Sequence, residues 1–363
     1  MNTINHLDLF SGVGGFSLGL REAGVQVEWH GFSDIDKFAN NVFRERFPNA
    51  EELGPIEDID IDRLPRIDLV TFGFPCQDLS IAGRRKGFDG SRSSLYFKAI
   101  EIIERKRPKY FIFENVKGFF SSNAGKDFTI ALKTIADIGY DGQWQLLNTR
   151  WFLPQNRERI YFVGHIRGEC RPKVFPIREN GKVFNESQRK AQKEGEWVRS
   201  KGPQSANCIS ARYYKDGSEN LIDTGLNQIG VIGKDSEATR VYDTNCARTI
   251  KNGGGMGAKT GLYEVKPVLT PNRENKKQNG RRFKEDGEDM FTLTSQDQHG
   301  VQLGSNIRRL TPTECERLQG FPDGWTEGQS DTQRYKQMGN AVSVPVVKSI
   351  MKKLYNYSGK NVR

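Results

Sequence analysis

His6-Leu7-Asp8-Leu9-Phe10 runs without a break into Ser11-Gly12-Val13-Gly14-Gly15, and a helical period follows from Phe16 to Ala23 until Gly24 stops it. A strand, a glycine turn and a helix in that order open a doubly wound α/β sheet, because glycines let the backbone approach a ligand where a Cβ would clash. The dinucleotide spacing is not met, since Ser17 stands where its third glycine would be. That departure argues against a pyrophosphate and allows a ligand without phosphates. The rhythm continues with a strand from Val25 to Phe32, a helix from Asp36 to Phe47 and an apolar strand from Ile67 to Phe72. Next come a helix from Leu95 to Arg105, a strand from Tyr110 to Phe113, a helix from Ala124 to Ile138, and strands over Gln143 to Trp151 and Ile160 to Gly164. It stops near His165. Such a chain predicts a mostly parallel sheet that binds ligands beyond the carboxyl ends of its strands.

Reactive side chains recur at those ends. The second strand gives way to Ser33-Asp34-Ile35-Asp36, where such folds hold ribose hydroxyls, so Asp34 is the candidate. Asp34 or Asp36 could instead cap the next helix, and only one of them needs to. After Phe72 comes Gly73-Phe74-Pro75-Cys76-Gln77-Asp78-Leu79-Ser80, in which Gly and Pro force a turn. A rigid turn there makes Cys76 a candidate nucleophile, although free cysteines are more often small buried hydrophobes. Asp78 to Ser94 has no hydrophobic period and carries Arg84, Arg85, Lys86 and Arg92 among glycines and serines. Its place beside Cys76 favours a lid over an anionic substrate rather than an unstructured surface loop. Glu114 follows an apolar strand and should share the crevice with Cys76. Buried there, it would keep its proton, as a general acid must; a helix-capping glutamate is the alternative. Arg157 and Arg159 alternate along an extended stretch and so point together, unless they are an ordinary surface pair.

The formal net charge of +10 is uneven. Residues 1–164 carry 21 Lys+Arg against 22 Asp+Glu, whereas residues 165–310 carry 26 against 18, so the excess lies mostly in the middle of the chain. Interleaved with glycines and aromatics, it suits a polyanion, with a solvated cationic surface as the alternative. The five cysteines, at 76, 170, 208, 246 and 315, form no C-x-x-C pair. No metal site and no disulfide framework are therefore expected, and a reducing cytoplasm fits best. No apolar run is long enough to span a bilayer and no signal-peptide pattern follows Met1, so no membrane partner is expected.

From Arg167 to Asn306 the chain is rich in Gly, Asn and Thr, with short β-like fragments and no clear helix, which predicts a second domain. Gly253-Gly254-Gly255-Met256-Gly257 and Gln278-Asn279-Gly280-Arg281-Arg282 look like loops that lay backbone and arginines against a groove. Helical order resumes at Thr311-Pro312-Thr313-Glu314, with an N-cap, a proline at the first helical position and a capping box, and Gly320 ends it. Gln337-Met338-Gly339-Asn340-Ala341-Val342 reads as a tight turn, and Ser343 to Tyr355 as a final amphipathic helix.

Asp8 to Gly15, Phe74 to Ser80, Phe113 to Gly118, Gln155 to Phe162, Arg309 to Trp325 and Gln337 to Val342 together resemble, in order and spacing, the DNA cytosine-5 methyltransferases of bacterial restriction–modification systems. The resemblance covers the chain apart from its middle. There, Arg240-Val241-Tyr242 through Gly261-Leu262-Tyr263 is similar to target-recognition segments of enzymes reading short GC-containing palindromes, and Glu264 to Asn306 looks like an insertion. The implied fold is an α/β class I S-adenosylmethionine-dependent methyltransferase, Rossmann-like with a mostly parallel sheet, carrying a small, mainly β target-recognition domain. Residues 1–166 would form the first part of the catalytic domain, 167–305 the target-recognition domain and 306–363 the catalytic domain's return.

By position, Phe10, Ser11, Gly12 and Gly14 would line the S-adenosylmethionine pocket, Asp34 would hold the ribose and Ile35 would stack on adenine. Asp58 with Ile59 would meet the adenine edge, and Pro75, Leu95 and Asn340 would complete the pocket. The resemblance makes Cys76 the nucleophile and Glu114 the acid at cytosine N3, with Arg157 and Arg159 around base and thiolate. DNA contacts would fall to Ser80, Arg84, Arg92, Arg240, Thr249, Gly253, Gly254 and Gly255. Glu237 stands where some relatives place a glutamine that fills the gap left by the flipped base.

Cytosine C5 is not nucleophilic enough to take a methyl group unaided. A thiolate adding at C6 makes C5 an enamine carbon, and a proton on N3 absorbs the charge. C5 then takes the methyl group and loses its proton, and the cysteine is expelled. An ordinary thiol needs about 2 kcal/mol of help to ionise fully at neutral pH, which a nearby arginine can supply. The base must leave the duplex at a cost of a few kcal/mol, offset by phosphate contacts. Double-stranded DNA is then the partner, alongside a cognate restriction endonuclease acting on the same site without direct contact. The enzyme would be a cytoplasmic, nucleoid-associated monomer protecting host or phage DNA. A transfer RNA cytosine methyltransferase shares the catalytic parts, but the long basic middle favours DNA. A DNA-binding regulator with a silent site is a third reading, against which Cys76, Glu114 and Arg157 argue.

Overall fold

A computed structural model describes residues 3–74, 95–169, 172–177, 228–231, 240–242, 262–263, 266–271, 281–285, 288–303 and 306–356. The chain divides into two units: Met1–Thr149 with Glu158–Ile177 and Phe321–Arg363, and Arg150–Arg157 with Arg178–Gly320.

The first unit is built on seven strands: β1 (Thr3–Leu9), β2 (Gln26–Ser33), β3 (Glu51–Glu52), β4 (Leu69–Phe72), β5 (Tyr110–Val116), β6 (Tyr140–Asn148) and β7 (Glu158–Ile166). Their order is β3-β2-β1-β4-β5-β7-β6; the first five strands are parallel, and β7 runs antiparallel to both neighbours. The chain winds outward from β1 through β2 and β3, returns to β4, and then winds the other way. The crevice of such a sheet lies at that reversal, between the carboxyl ends of β1 and β4. Register sets Leu9 beside both Ser33 and Phe72, and Phe72 beside Phe113. The residues that follow all four strands therefore leave along one edge.

β4 and the first four residues of β5 are wholly buried, as strands covered on both faces must be. Their core is largely aromatic, with Phe113 stacked on Phe162 at 4.9 Å and Phe74 packed on Tyr96, Phe113 and Phe119. The outer strand β6 is covered in an unusual way. Gln143 and Gln145 use their carboxamides in place of a backbone ladder, bonding Pro172 O, Phe175 N and both N and O of Ile177. That shields an otherwise open edge.

Helices α1 (Gly15–Glu22), α2 (Lys37–Arg46), α3 (Leu95–Lys106) and α4 (Lys126–Asp137) join the strands. α1 packs closely on the Val344–Asn356 helix, because Gly19 has no side chain: a Cβ there would lie 2.5 Å from Val347 Cγ1 and 3.2 Å from Lys348 N. Gly19→Val should therefore cost about 3 kcal/mol through overpacking, read as a lower urea midpoint.

Several elements depart from the sequence-based expectation. α4 begins two residues late because Asn123 and Ala124 sit at φ 49° and 54°, outside the helical region. β5 runs on through Glu114 to Val116, paired residue by residue with β7. β6 starts earlier than expected, and Thr149–Trp151 form a 3-10 turn instead. The expected tight turn over Gln337–Val342 is mostly helix. The Asp331–Asn340 helix, capped by Ser330 accepting from Gln333 N–H, buries Gln337, Met338 and Gly339, and only at Ala341 does the chain extend.

In the second unit the described strands form two sheets. β8 (Gln228–Val231), β9 (Arg240–Tyr242) and β10 (Leu262–Tyr263) make one; β11 (Lys266–Leu269), β12 (His299–Leu303) and β13 (Asn306–Arg309) make the other, which is antiparallel. The Pro312–Gln319 helix carries the expected capping box between Thr311 and Glu314, and Gly320 ends it at φ 81°. Glu264 to Asn306 is built into the second unit. It supplies β11 and β12, and Met290 exchanges backbone hydrogen bonds with Pro154 O and Asn156 N, each at 2.9 Å. Gln155 is buried and spans two further partners, donating to Leu318 O at 2.7 Å and accepting from Leu293 N at 3.2 Å.

Candidate active site

The edge shared by β1 and β2 carries the glycine turn. Phe10 has φ 52°, a left-handed conformation that costs a non-glycine residue about 1–3 kcal/mol and is kept mainly at functional sites. Gly12 has the same φ, and a Cβ built on it meets nothing within 4 Å, so its backbone borders open space. Its N–H donates to Asp34 Oδ2 at 2.8 Å, while Asp34 Oδ1 accepts from Asp36 N at 2.8 Å. Asp36, not Asp34, caps α2 by accepting from Phe38 N. The ambiguity of the two aspartates is thus resolved: one caps, and the other turns back to the glycine turn. Burial pushes the Asp34 carboxyl upward, opposed by the N–H groups of Asp36 and Gly12.

Beside it, Ile35 is 85 % exposed and presents an apolar face. Ser11 is buried, and its N–H donates to Ser33 O. Gly14 begins the helix at φ 84°. Asp58 is exposed at the end of a 3-10 turn, and Ile59 beside it is half-buried. Asn340 is exposed at its helix end, two residues before Val342, whose Cγ2 would lie 2.6 Å from a Cβ on Gly15. Trp325 Nε1 holds the turn from behind through Val13 O at 2.9 Å. This set suits S-adenosylmethionine: an apolar surface for the adenine ring, a carboxylate for ribose hydroxyls and an open turn in front of the helix. Asp34→Ala should raise the dissociation constant of S-adenosylhomocysteine about tenfold by calorimetry, through loss of charged hydrogen bonds. A value unchanged from the parent's would remove Asp34 from the pocket.

The β4 and β5 ends meet on the same edge. A Cβ on Gly73 would lie 3.6 Å from Glu114 Oε2, and Asn115 Nδ2 donates to Phe74 O at 3.1 Å in a buried contact. The chain approaching Cys76 is therefore held against the Glu114-Asn115 pair. Sequence reasoning passed over Asn115; its signal was a second polar residue directly after Glu114. Glu114 and Arg159 lie together, with Arg159 Nε 3.0 Å from Glu114 Oε1 and both side chains largely buried.

Pro75, Cys76, Ser80, Arg84 and Arg92 lie outside the described residues, as do Glu237, Thr249, Gly253, Gly254 and Gly255. Arg240 is described only as backbone, in β9. Leu95 is half-buried at the start of α3. Arg159 lies on β7 and Arg157 immediately before it. β7 begins at Glu158, and Arg157 is buried in the second unit, donating to Leu293 O at 2.9 Å.

The strand order with its reversed β7, the strained glycine turn and the acidic residue opposite it define a class I S-adenosylmethionine-dependent methyltransferase with a separate β unit. A model of the C-5 cytosine-specific DNA methylases matches residues 4–356, and the chain belongs to that family. It is 33 % identical to the orphan methyltransferase M.SPRI of Bacillus phage SPR across 98 % of both chains. It is 29 % identical to the type II methyltransferase M.HhaI of Haemophilus parahaemolyticus, over 96 % of this chain and 93 % of that one. Among solved structures, the Entamoeba histolytica methyltransferase EhMeth shares the fold at a TM-score of 0.56 and 18 % identity, covering 98 % and 99 % of the two chains. S. pombe Dnmt2 does so at 0.52 and 17 %, covering 99 % and 100 %. The protein is a DNA cytosine-5 methyltransferase that uses S-adenosylmethionine and acts on double-stranded DNA.

Proposed function

We propose that Cys76 attacks C6 of a flipped-out cytosine while Glu114 delivers a proton to N3, with Arg159 and Arg157 orienting the carboxyl and the base. The observation that carries this is the seating of Gly73 and Phe74 against Glu114 and Asn115, on the sheet edge that also bears the Gly12 turn. From a chain pinned there, one residue, Pro75, separates Phe74 from Cys76, a spacing that supports a sulfur near the carboxyl.

S-adenosylmethionine supplies an electrophilic methyl group. The chain's own part is to add and later release the Cys76 sulfur, to lend and recover the N3 proton, and to exclude water while the C5 proton leaves. Phe10, Ser11, Gly12, Gly14, Asp34, Ile35, Asp58, Ile59, Pro75, Leu95 and Asn340 would hold the donor. Ser80, Arg84, Arg92, Arg240, Thr249 and Gly253 to Gly255 would meet DNA, with residues 167–305 as the target-recognition domain. The basic excess of that stretch supports the reading.

Among the described residues no helix is long and apolar enough to cross a membrane. A monomer working at the nucleoid, protecting DNA from an endonuclease that it never touches, fits a phage or host setting. Bisulfite sequencing of DNA from cells expressing the chain tests the assignment. One short motif methylated throughout is expected; conversion of every cytosine would contradict it.

A further inference from the structure

A closed ring of polar side chains, buried except at half-buried His30, ties β1, β2, α1 and β4 together. Asp8, on β1 with none of its surface exposed, accepts from Ser17 Oγ at 2.6 Å and from Thr71 Oγ1 at 2.8 Å. Each hydroxyl also meets an imidazole. His30 Nε2 lies 3.0 Å from Ser17 Oγ, His6 Nε2 lies 2.8 Å from Thr71 Oγ1, and the two rings stack with centroids 5.1 Å apart. A sheet interior is filled at lower cost by apolar groups than by a carboxyl, so this one calls for a use.

Its position suggests the use. Asp8 stands two residues before Phe10, and Ser17 lies in the first turn of α1, two residues after Gly15. One arm of the ring thus ends on the donor's turn. Thr71 is two residues before Gly73 on β4, so the other arm ends on the strand that leads to Cys76. A hydroxyl has one proton. When both hydroxyls give theirs to an ionised Asp8, each must take its second bond from an imidazole N–H, and burial keeps both rings neutral. When Asp8 is protonated it must itself donate to one hydroxyl, and that arm of the ring reverses.

We propose that Asp8 is a positioning residue for methyl transfer: ionised, it clamps α1 to β4 through Ser17 and Thr71, and so holds the donor's turn in register with the nucleophile's turn. The inference rests on the roles proposed above for the glycine turn and Cys76.

The titratable groups facing Asp8 are His6 on its own strand, His30 on β2 and Asp34 just beyond β2; α1 and β4 contribute only hydroxyls. Burial pushes the Asp8 carboxyl up to about 7, against its hydrogen bonds from Ser17 and Thr71. An aspartate raised in this way binds a proton in the fold that the unfolded chain has already released. Its contribution to stability is therefore present in acid and is lost as pH rises through about 7. Activity should move the opposite way, because the clamp forms when the proton leaves.

Asp8→Asn imitates the protonated state. It should resist urea at least as well as the parent at about pH 8, yet show kcat/KM about tenfold lower and without the parent's acid limb near neutral pH. Thr71→Val should lower kcat about tenfold while the S-adenosylhomocysteine dissociation constant stays within about twofold, and Thr71→Ser should restore the rate. Ser17→Ala should weaken cofactor binding instead. If Asp8→Asn fails to fold, the Thr71 and Ser17 variants still decide the matter. Changes in the urea midpoint alone, with kcat, cofactor affinity and pH profile all within about twofold of the parent, would overturn the proposal. Cys76→Ala assayed in parallel keeps the two ideas apart: activity surviving there counts against the nucleophile, whereas the Ser17 effect on cofactor binding does not depend on Cys76.

Discussion

Cys76→Ala is expected to abolish methyl transfer, with kcat at least about 10⁴-fold lower, while S-adenosylhomocysteine binds as it does to the parent. The size follows from the chemistry. Without a sulfur at C6, C5 remains an aromatic carbon and lacks the enamine electron density it needs to take a methyl group. The fold should be unaffected, since Gly73 and Phe74 are seated on the β5 end by the hydrogen bond from Asn115 to Phe74 O, in which the sulfur takes no part. Transfer of labelled methyl groups to duplex DNA, set beside calorimetric cofactor binding, separates the two effects. A variant keeping a tenth of the parent rate would move the nucleophile elsewhere.

Glu114→Gln should lower kcat by about 10²–10³-fold, the range for loss of a positioned general acid. Glutamine keeps the volume, the contact with Arg159 and a hydrogen bond to N3, so DNA affinity should hold. It cannot give up a proton, so charge has nowhere to go as the sulfur adds. Rapid-quench measurement should show slow chemistry and unchanged binding. If DNA affinity were lost and the rate kept, Glu114 would be a base-recognition residue only.

The βα rhythm of the first 164 residues was legible because apolar runs of strand length alternate with helical periods and end at glycines. Asp8 to Gly15 could be placed for that reason, and so could Glu114. What failed to read was geometry with no local pattern. Gly339-Asn340 has the composition of a turn, yet the capped helix from Asp331 carries through it because Met338 and Gln337 are buried. β7 takes in Glu158 and Arg159, two residues before the apolar run that marks it in the sequence. Nothing local announces the ion pair between Glu114 and Arg159, which forms because their strands are antiparallel neighbours. The ring of His6, Asp8, Ser17, His30 and Thr71 draws on four separate elements and has no sequence signature. Asp34 and Asp36 were equivalent on paper and differ only once β2 lies beside β1.

The covalent step is the centre of the account, and duplex DNA carrying 5-fluorocytosine at the methylated position tests it most directly. Fluorine at C5 cannot depart as the proton does, so the adduct should persist. With S-adenosylmethionine present, mass spectrometry should find one oligonucleotide bound per chain, on the peptide that contains Cys76. No adduct, or one mapped to Cys170, Cys208, Cys246 or Cys315, would contradict it.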